Sequence, residues 1–138
     1  MSRRPILLDT HAAIWMALPE ALAKSAEAEL HEARSLGVAV VVSPITAWEV
    51  GLLVARGRMA LAVPPRQWFQ GLIDAGVELA ALTAGTLIES SFLPAGLGGD
   101  PADRILVATA RELGYRLMTR DRALLRYAEM GRLSATPC

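Results

Sequence analysis

Short apolar runs alternate with longer segments of helical periodicity along the chain. The clearest run, at residues 38–42, is continuous and rich in valine, which is typical of a strand covered on both faces. Segments with apolar residues three and four positions apart separate such runs and predict helices. The predicted strands are residues 5–8, 38–42, 77–82, 115–119 and 133–136, the last of them weak, and the predicted helices are residues 10–18, 20–36, 44–56, 65–75, 83–93, 100–113 and 121–130.

Strands that alternate with helices of this length predict an α/β fold with a parallel sheet and helices on both of its faces. The ends of several helices carry their own signals. Ser43 and Pro44 offer an N-cap and a first-turn proline, and Gly37 and Gly114 follow two predicted helices as C-terminal caps. These signals support the predicted boundaries.

Composition excludes several classes of protein. Of 138 residues, 53% are hydrophobic and 20% are charged, which excludes a disordered chain and predicts one domain over residues 1–138. No apolar run reaches the roughly 18 residues that a transmembrane helix needs, so we expect no membrane association. The single cysteine, Cys138, excludes an internal disulfide and a cysteine metal site, and we expect a cytoplasmic protein. Fourteen basic and fourteen acidic residues cancel, so the net charge points to no partner.

Acidic residues occur where the predicted sheet should bind ligands. In an open α/β sheet, ligands bind beyond the carboxyl ends of the strands. Asp9 and Asp121 each follow a predicted strand, and Glu49 and Asp103 lie within two turns of helix starts at the same edge. Asp100 is three positions before Asp103, so the two face the same way across one helical turn. We therefore expect these carboxylates to converge.

Each carboxylate also has a structural interpretation. Asp9, Asp100 and Asp121 can cap helices, and Asp103 can be a first-turn acid that the helix dipole favours. Glu49 can face solvent, although most of its neighbours are apolar and no lysine or arginine lies three or four positions away. Because burying a lone carboxylate is costly, a buried Glu49 must be paired across the fold or bind a cation.

A pocket that gathers three or four carboxylates predicts a divalent cation. Like charges about 4 Å apart repel by roughly 4 kcal/mol at an effective dielectric near 20, so the pocket must be protonated or filled by a cation. Hard oxygen ligands suit Mg²⁺ or Mn²⁺, which can polarise a phosphoryl oxygen and activate a water. These residues therefore indicate metal-assisted phosphodiester hydrolysis.

Other chemistries fit the sequence poorly. The chain has no P-loop, no G-x-G-x-x-G, no G-x-S-x-G and no H-E-x-x-H motif. His11 stands where a haloacid-dehalogenase-like phosphatase needs its second Asp, and Lys24 is misplaced for a receiver domain. His11 lies beside the predicted site, where it can have a structural role or touch substrate.

The apolar and aromatic residues divide into core and surface candidates. We expect most of the area of Trp15, Trp48, Trp68 and Phe69 to lie in the core, with Trp48 packed beside Glu49. Met59 and Leu61 lie in a glycine-flanked loop before two prolines. They are the better candidates for an exposed contact surface.

Several stretches, taken together in this order and spacing, match a known family. They are Leu-Leu-Asp-Thr-His-Ala at residues 7–12 with Trp15, Ser43 with Ala-Trp-Glu-Val at 47–50, Gly-Arg-Met at 57–59, Asp-Pro-Ala-Asp-Arg-Ile-Leu-Val-Ala-Thr-Ala at 100–110, and Leu-Met-Thr-Arg-Asp at 117–121. With these residues the chain resembles the PIN-domain toxins of bacterial toxin–antitoxin pairs, the VapC-like ribonucleases. The resemblance spans nearly the whole chain.

The resemblance implies a three-layer α/β/α sandwich with a central, mostly parallel sheet. It also implies Mg²⁺- or Mn²⁺-dependent endonucleolytic cleavage of RNA, with tRNA among the candidate substrates. The implied catalytic residues and metal ligands are Asp9, Glu49, Asp103 and Asp121, with Asp100 as an accessory acid and Thr119 as a supporting ligand. The implied partners are a second copy of the chain, forming a homodimer, and a small VapB-like antitoxin that blocks the site.

Two features depart from the family pattern. Gly98 and Gly99 stand where many relatives carry a His shortly before the Asp-Pro-x-Asp-Arg stretch, and the tail at 133–138 lacks an apolar final strand. Two alternative functions remain beside the ribonuclease. One is a catalytically inactive PIN-like domain that binds a protein or RNA partner, and the other is a structure-specific, metal-dependent DNA nuclease.

Overall fold

A five-stranded sheet runs through the middle of the molecule. The computed structural model describes residues 4–138, so residues 1–3 of the predicted domain lie outside the described residues. The strand order is β3-β2-β1-β4-β5, and each neighbouring pair is parallel. The strands are β1 (Ile6–Leu8), β2 (Val40–Val42), β3 (Glu78–Leu79), β4 (Arg116–Thr119) and β5 (Ala135–Pro137), and the helices are α1 (Thr10–Met16), α2 (Lys24–Ser35), α3 (Pro44–Ala55), α4 (Pro65–Asp74), α5 (Ala84–Glu89), α6 (Pro101–Leu113) and α7 (Arg122–Glu129).

Successive residues of the central strand β1 face two separate cores. Ile6 and Leu8 pack with apolar side chains of α1, α2 and α4, whereas Leu7 packs on the other face with those of α6 and α7. Side chains alternate along a strand, so a strand buried on both faces must be apolar at every position. The molecule therefore has three layers, and the predicted α/β/α fold with a parallel sheet is confirmed.

The strand register brings the predicted site residues to one edge of the sheet. Leu8 at the end of β1 lies beside Val42 of β2 and Met118 of β4. The residues that follow these strands therefore leave the sheet together, and Asp9 and Thr119 come out as neighbours. The topology places Asp9 and Thr119 at the carboxyl edge of the sheet, where the order of the elements predicts them.

Several predicted boundaries were wrong. Helix α2 begins at Lys24 and not at residue 20, because Glu20 has a φ of 61° in the left-handed region, which a right-handed helix excludes. Strand β3 is shorter than predicted, with two residues at the edge of the sheet that pair with β2. Helix α5 is also shorter than predicted and ends at Glu89. The weak last strand does form, as β5, and pairs with β4.

The aromatic residues divide differently from the prediction. Trp48 is 55% exposed, so its expected place in the core was wrong. The buried residues of α3 are Thr46 and Val50, and a residue two positions from each points to the opposite side of the helix. Met59 and Leu61, the predicted contact residues, are half-buried. Trp15, Trp68 and Phe69 pack against the core of α1, α2 and α4, as expected.

Candidate active site

The carboxyl edge of the sheet opens into a cavity of about 420 Å³, which we call the acidic cavity. Five carboxylates line it, and they are the four predicted catalytic acids with the predicted accessory acid: Asp9, Glu49, Asp103, Asp121 and Asp100. Thr10, His11, Trp15, Leu106 and Arg120 complete its lining. Residues that lie more than a hundred positions apart in the sequence therefore meet in one place.

Asp9 is held by both of its carboxylate oxygens. Oδ1 accepts a hydrogen bond of 2.7 Å from the Ala12 N–H, which caps α1, and Oδ2 accepts one of 2.5 Å from Thr119 Oγ1. The side chain is almost fully buried. Burial raises the pKa of Asp9 above its ordinary value, and the hydrogen bonds from Thr119 and Ala12 oppose that shift. Asp9 is thus a fixed acceptor at the floor of the cavity.

Glu49 is paired across the fold. Thr10 Oγ1 donates a very short hydrogen bond to Glu49 Oε1, and the Thr10 hydroxyl also lies 3.2 Å from Thr46 Oγ1. Burial raises the pKa of Glu49, while the bond from Thr10 lowers it and the charge of Asp100 raises it further. A half-buried carboxylate on an apolar helix therefore has a hydroxyl partner from α1 and faces the other acids of the cavity.

Asp100 and Asp103 mark the start of α6. Asp100 Oδ1 accepts a 2.9 Å hydrogen bond from the Asp103 N–H and caps the helix, with Pro101 in the first turn. Arg104 lies beside them and donates to the carbonyls of Ser90 at 2.8 Å and Gly98 at 3.0 Å. Arg104 thereby fastens the loop that leads into Asp100. Asp100 and Asp103 therefore line the cavity from the start of α6, next to a loop that Arg104 holds in place.

Thr119 joins Asp9 to Asp121. Its hydroxyl accepts a 3.1 Å hydrogen bond from the Asp121 N–H and donates to Asp9. Asp121 Oδ1 in turn caps α7 by accepting from the N–H groups of Ala123 and Leu124. Thr119 is fully buried and lies beneath the cavity, outside its lining, so its hydroxyl positions Asp9.

Helix capping and a shared site turn out to be compatible. Asp9, Asp100 and Asp121 are all N-caps, as the structural interpretation held, and each makes its capping bonds with Oδ1. The second oxygen of each takes no part in capping. Helices α1, α6 and α7 therefore each begin at this edge with an N-cap carboxylate. The capping positions themselves place these three acids in the cavity.

The pKa of Asp103 reflects the closeness of the five acids. Its pKa is raised to about 7, first by burial and then by the charges of Asp100, Asp121, Glu49 and Asp9. All four other acids of the cavity thus act on one carboxylate. The folded chain carries concentrated negative charge, which either a proton or a cation can relieve.

One cation and two rings form the rim of the acidic cavity. The guanidinium carbon of Arg120 lies 4.0 Å from the centre of the Trp15 ring, and the His11 ring centre lies 5.4 Å from that of Trp15. His11 and Trp15 are four positions apart on α1, which places them on one face of the helix. The predicted position of His11 beside the site agrees with this arrangement.

The carboxylates are not arranged as a finished metal cage. In the part of the chain that the structure describes, no three His, Cys, Asp or Glu side chains form a ready-made ligand group for one ion. Mg²⁺ keeps several of its waters and is often held by only one or two protein carboxylates, so a looser set of hard oxygens suits it. The carboxylate oxygens of the cavity are therefore suitable ligands for Mg²⁺.

Most of the chain matches one known protein family. A family model described as PIN domain matches residues 6–130, which include every acid of the cavity. The chain belongs to the PIN-domain family. Helix α7 ends at Glu129, so the matched residues contain four of the five strands and all seven helices of the described structure.

Two kinds of relative extend this PIN-domain assignment. The chain is 38% identical to ribonuclease VapC22 of Mycobacterium tuberculosis over 120 residues, covering 86% of this chain and 88% of that protein. Its fold is similar to a chain of VapBC2 from Rickettsia felis bound to a promoter DNA fragment, with a TM-score of 0.67, 15% identity and coverage of 96% and 98%. It is also similar to FitAcB from Neisseria gonorrhoeae, with a TM-score of 0.56, 20% identity and coverage of 94% and 95%.

Some residues of this PIN domain's site were missed from the sequence. Thr10 was not predicted to pair with Glu49, and Arg120 entered the sequence analysis only as part of the Leu-Met-Thr-Arg-Asp stretch at 117–121. The position of Thr10 directly after Asp9 at a strand end was the available signal. None of the helices in residues 4–138 is long and apolar enough to cross a membrane.

Proposed function

We propose that this chain is a metal-dependent endoribonuclease toxin that acts in the cytoplasm and is held inactive by a cognate antitoxin. The observation that carries the proposal is the meeting of Asp9, Glu49, Asp100, Asp103 and Asp121 in one cavity at the carboxyl edge of a parallel sheet. Membership of the PIN-domain family and the 38% identity to a VapC ribonuclease support RNA as the substrate.

The chemistry of the cavity fits Mg²⁺ or Mn²⁺. The available ligands are carboxylate oxygens, and burial together with the charges of the four other acids raises the pKa of Asp103. Asp9, Glu49, Asp103 and Asp121 would hold the metal, with Asp100 as an accessory ligand. When bound, such an ion would polarise a phosphoryl oxygen and lower the pKa of a water.

The residues of the chain then supply position and proton transfer. Thr119 and the Ala12 N–H fix Asp9, and Thr10 fixes Glu49, so both carboxylates keep one orientation. A carboxylate oxygen of the cavity that does not hold the metal would accept the proton of an attacking water. The water oxygen bonds to phosphorus and the P–O3′ bond breaks, leaving a 5′-phosphate and, after proton uptake, a 3′-hydroxyl.

Partners follow from the relatives and from the exposed surface. The structural relative from Rickettsia felis is a VapBC pair, which supports a VapB-like antitoxin for this chain. Large apolar side chains are exposed, with Trp48 at 55%, Ile88 at 60% and Phe92 at 76%. A homodimer would cover some of these exposed side chains.

Cleavage of labelled RNA tests the proposal. Wild type should cut single-stranded RNA with Mg²⁺ or Mn²⁺ and stop when the metal is chelated, and Asp9→Asn should lower the rate by about a hundredfold or more. The Asn amide oxygen can still accept the capping bond from Ala12, so the fold should persist. Asp74→Asn is the matched control, because Asp74 is an exposed helix residue whose side chain bonds to Gln70. Equal rates for wild type and Asp9→Asn would overturn the assignment.

A further inference from the structure

Arg120 is the one lysine or arginine that lines the acidic cavity among the described residues. It stands at the carboxyl edge between Thr119 and Asp121, and its side chain is exposed. Its Nη2 donates hydrogen bonds to the carbonyls of Ala21 at 2.9 Å and Cys138 at 2.5 Å. The carbon of its guanidinium lies over the Trp15 ring, 4.0 Å from the ring centre. A cation on the rim is thus held in one place by three contacts.

A polyanionic substrate meets an electrostatic obstacle at this site. Five carboxylates line the cavity and repel every phosphate of an RNA strand, those next to the reacting one included. A divalent ion held by these carboxylates would act on the reacting phosphate, and a cation of the protein would favour binding of a neighbouring phosphate. Arg120 lies on the same cavity and supplies that charge.

We propose that Arg120 binds a backbone phosphate next to the one that is cleaved, and that Trp15 positions its guanidinium. The inference rests on the proposed ribonuclease function. Arginine suits this task because its planar group donates several hydrogen bonds to phosphate and stacks on aromatic rings. The two carbonyl bonds engage Nη2, and Nη1 and Nε take no part in them. The guanidinium is therefore already oriented before RNA arrives.

A purely structural role is the competing explanation. The bonds to Ala21 and Cys138 tie the end of β4 to two other segments, and losing that tie would reduce stability without affecting RNA recognition. Two variants separate the roles. Arg120→Gln keeps a side-chain N–H donor but removes the charge, and Arg120→Lys keeps the charge but loses the planar group. Arg122→Gln is the matched control, because Arg122 is an exposed arginine two positions away that does not line the cavity.

Steady-state cleavage of a short single-stranded RNA, measured between about 50 and about 300 mM KCl, is the test. For Arg120→Gln we expect KM to rise about tenfold while kcat stays within about twofold. The slope of log KM against log salt should fall by about 0.7, the value for one phosphate contact on a single strand. Arg120→Lys should recover part of KM, and Arg122→Gln should match wild type.

Trp15 provides an independent readout. Trp15→Phe keeps a ring in the same position but weakens the contact with the cation, so KM should rise less than in Arg120→Gln. In the Arg120→Gln background, Trp15→Phe should change KM no further, because the two residues act through one contact. Additive effects on KM would overturn the positioning role of Trp15.

The outcomes separate this inference from the function on which it rests. Wild type that cuts RNA while Arg120→Gln keeps its KM and salt slope overturns the phosphate contact alone. Loss of kcat and of melting temperature in Arg120→Gln and Arg120→Lys alike, with KM unchanged, also overturns it in favour of the structural tie. Wild type that cuts no RNA overturns the proposed function, and this inference falls with it.

Discussion

Thr119 donates a 2.5 Å hydrogen bond from its hydroxyl to Oδ2 of Asp9, 110 positions away in the sequence. The same hydroxyl accepts the Asp121 N–H, so one buried side chain links two acids of the cavity. Loss of a hydrogen bond that orients a metal ligand typically lowers affinity or activity by about 10- to 100-fold. Thr119 is therefore a positioning residue at the floor of the site.

Thr119→Val should impair both stability and cleavage. The valine leaves the buried Asp9 Oδ2 and the Asp121 N–H without their partner, which should cost about 1–3 kcal/mol of the free energy of unfolding. Looser placement of Asp9 should lower the cleavage rate about 10- to 100-fold. Thr119→Ser keeps the hydroxyl and should stay close to wild type in both measurements, thermal melting and cleavage rate.

Thr109→Val is the control for this substitution. Thr109 is also fully buried, but its hydroxyl donates 2.8 Å to the Ile105 carbonyl within α6, which the helix itself already satisfies. We expect Thr109→Val to keep the wild-type cleavage rate. A Thr119→Val enzyme that cuts as fast as the Thr109→Val enzyme would remove Thr119 from the site.

Mn²⁺ should stabilise the folded chain, and Asp103→Asn should reduce that effect. An ion that binds only the fold stabilises it by about 2.7 kcal/mol at a hundred times its Kd, which for a domain of this size raises Tm by several degrees. Asp103→Asn removes a ligand and should shrink this shift. Thermal melts of both chains with and without Mn²⁺ measure it. An equal shift in the two chains would exclude Asp103 as a ligand.

The metal-free chain should lose stability as the pH rises toward neutrality. The pKa of Asp103 rises from 3.8 to about 7 on folding, so between these values the folded state holds more protons than the unfolded state. The free energy of unfolding therefore falls with rising pH across that interval. Burial raises the pKa of Asp9 and Glu49 as well, which adds contributions of the same sign.

Melting temperatures from about pH 5 to about pH 8 in a chelator, for wild type and Asp103→Asn, check this dependence. The mutant should gain on wild type as the pH rises and should melt higher at the alkaline end. If Asp103 acts only as a favourable first-turn charge of α6, the mutant melts lower there instead. A gap in Tm that is independent of pH would also contradict the cluster.

The chain should be a dimer in solution. Light scattering at micromolar concentration should give about twice 14.8 kDa, the mass of one chain. The exposed Trp48, Ile88 and Phe92 give the surface apolar area that a dimer can cover. A clean mass of one chain under these conditions would contradict the prediction.

The order of the elements and the place of the acids could be predicted from the sequence because both depend on local signals. The valines of Val40–Val42 indicate a buried strand. Asp9 directly follows β1 and Asp121 lies two residues after β4, and the parallel topology brings the ends of these strands together. Register follows from the same topology. The convergence of the acids at one edge of the sheet could therefore be predicted from the sequence.

The remaining errors arise where tertiary context overrides local pattern. Glutamate favours helices, but Glu20 has a left-handed φ in a turn. Local helix propensity does not predict this conformation. Trp48 is the size of a core residue, yet α3 buries the small Thr46 and Val50 on its other side. The pairing of Thr10 with Glu49 spans 39 positions and depends on how α1 and α3 pack.

The central place of β1, between β2 and β4, has a consequence during protein synthesis. Asp9 is made early, but its partner strand and Asp121 are made more than a hundred residues later, and a domain generally folds as a unit. A growing chain on the ribosome therefore carries an incomplete site. The proposed ribonuclease activity can therefore begin only after residue 121 has left the ribosome.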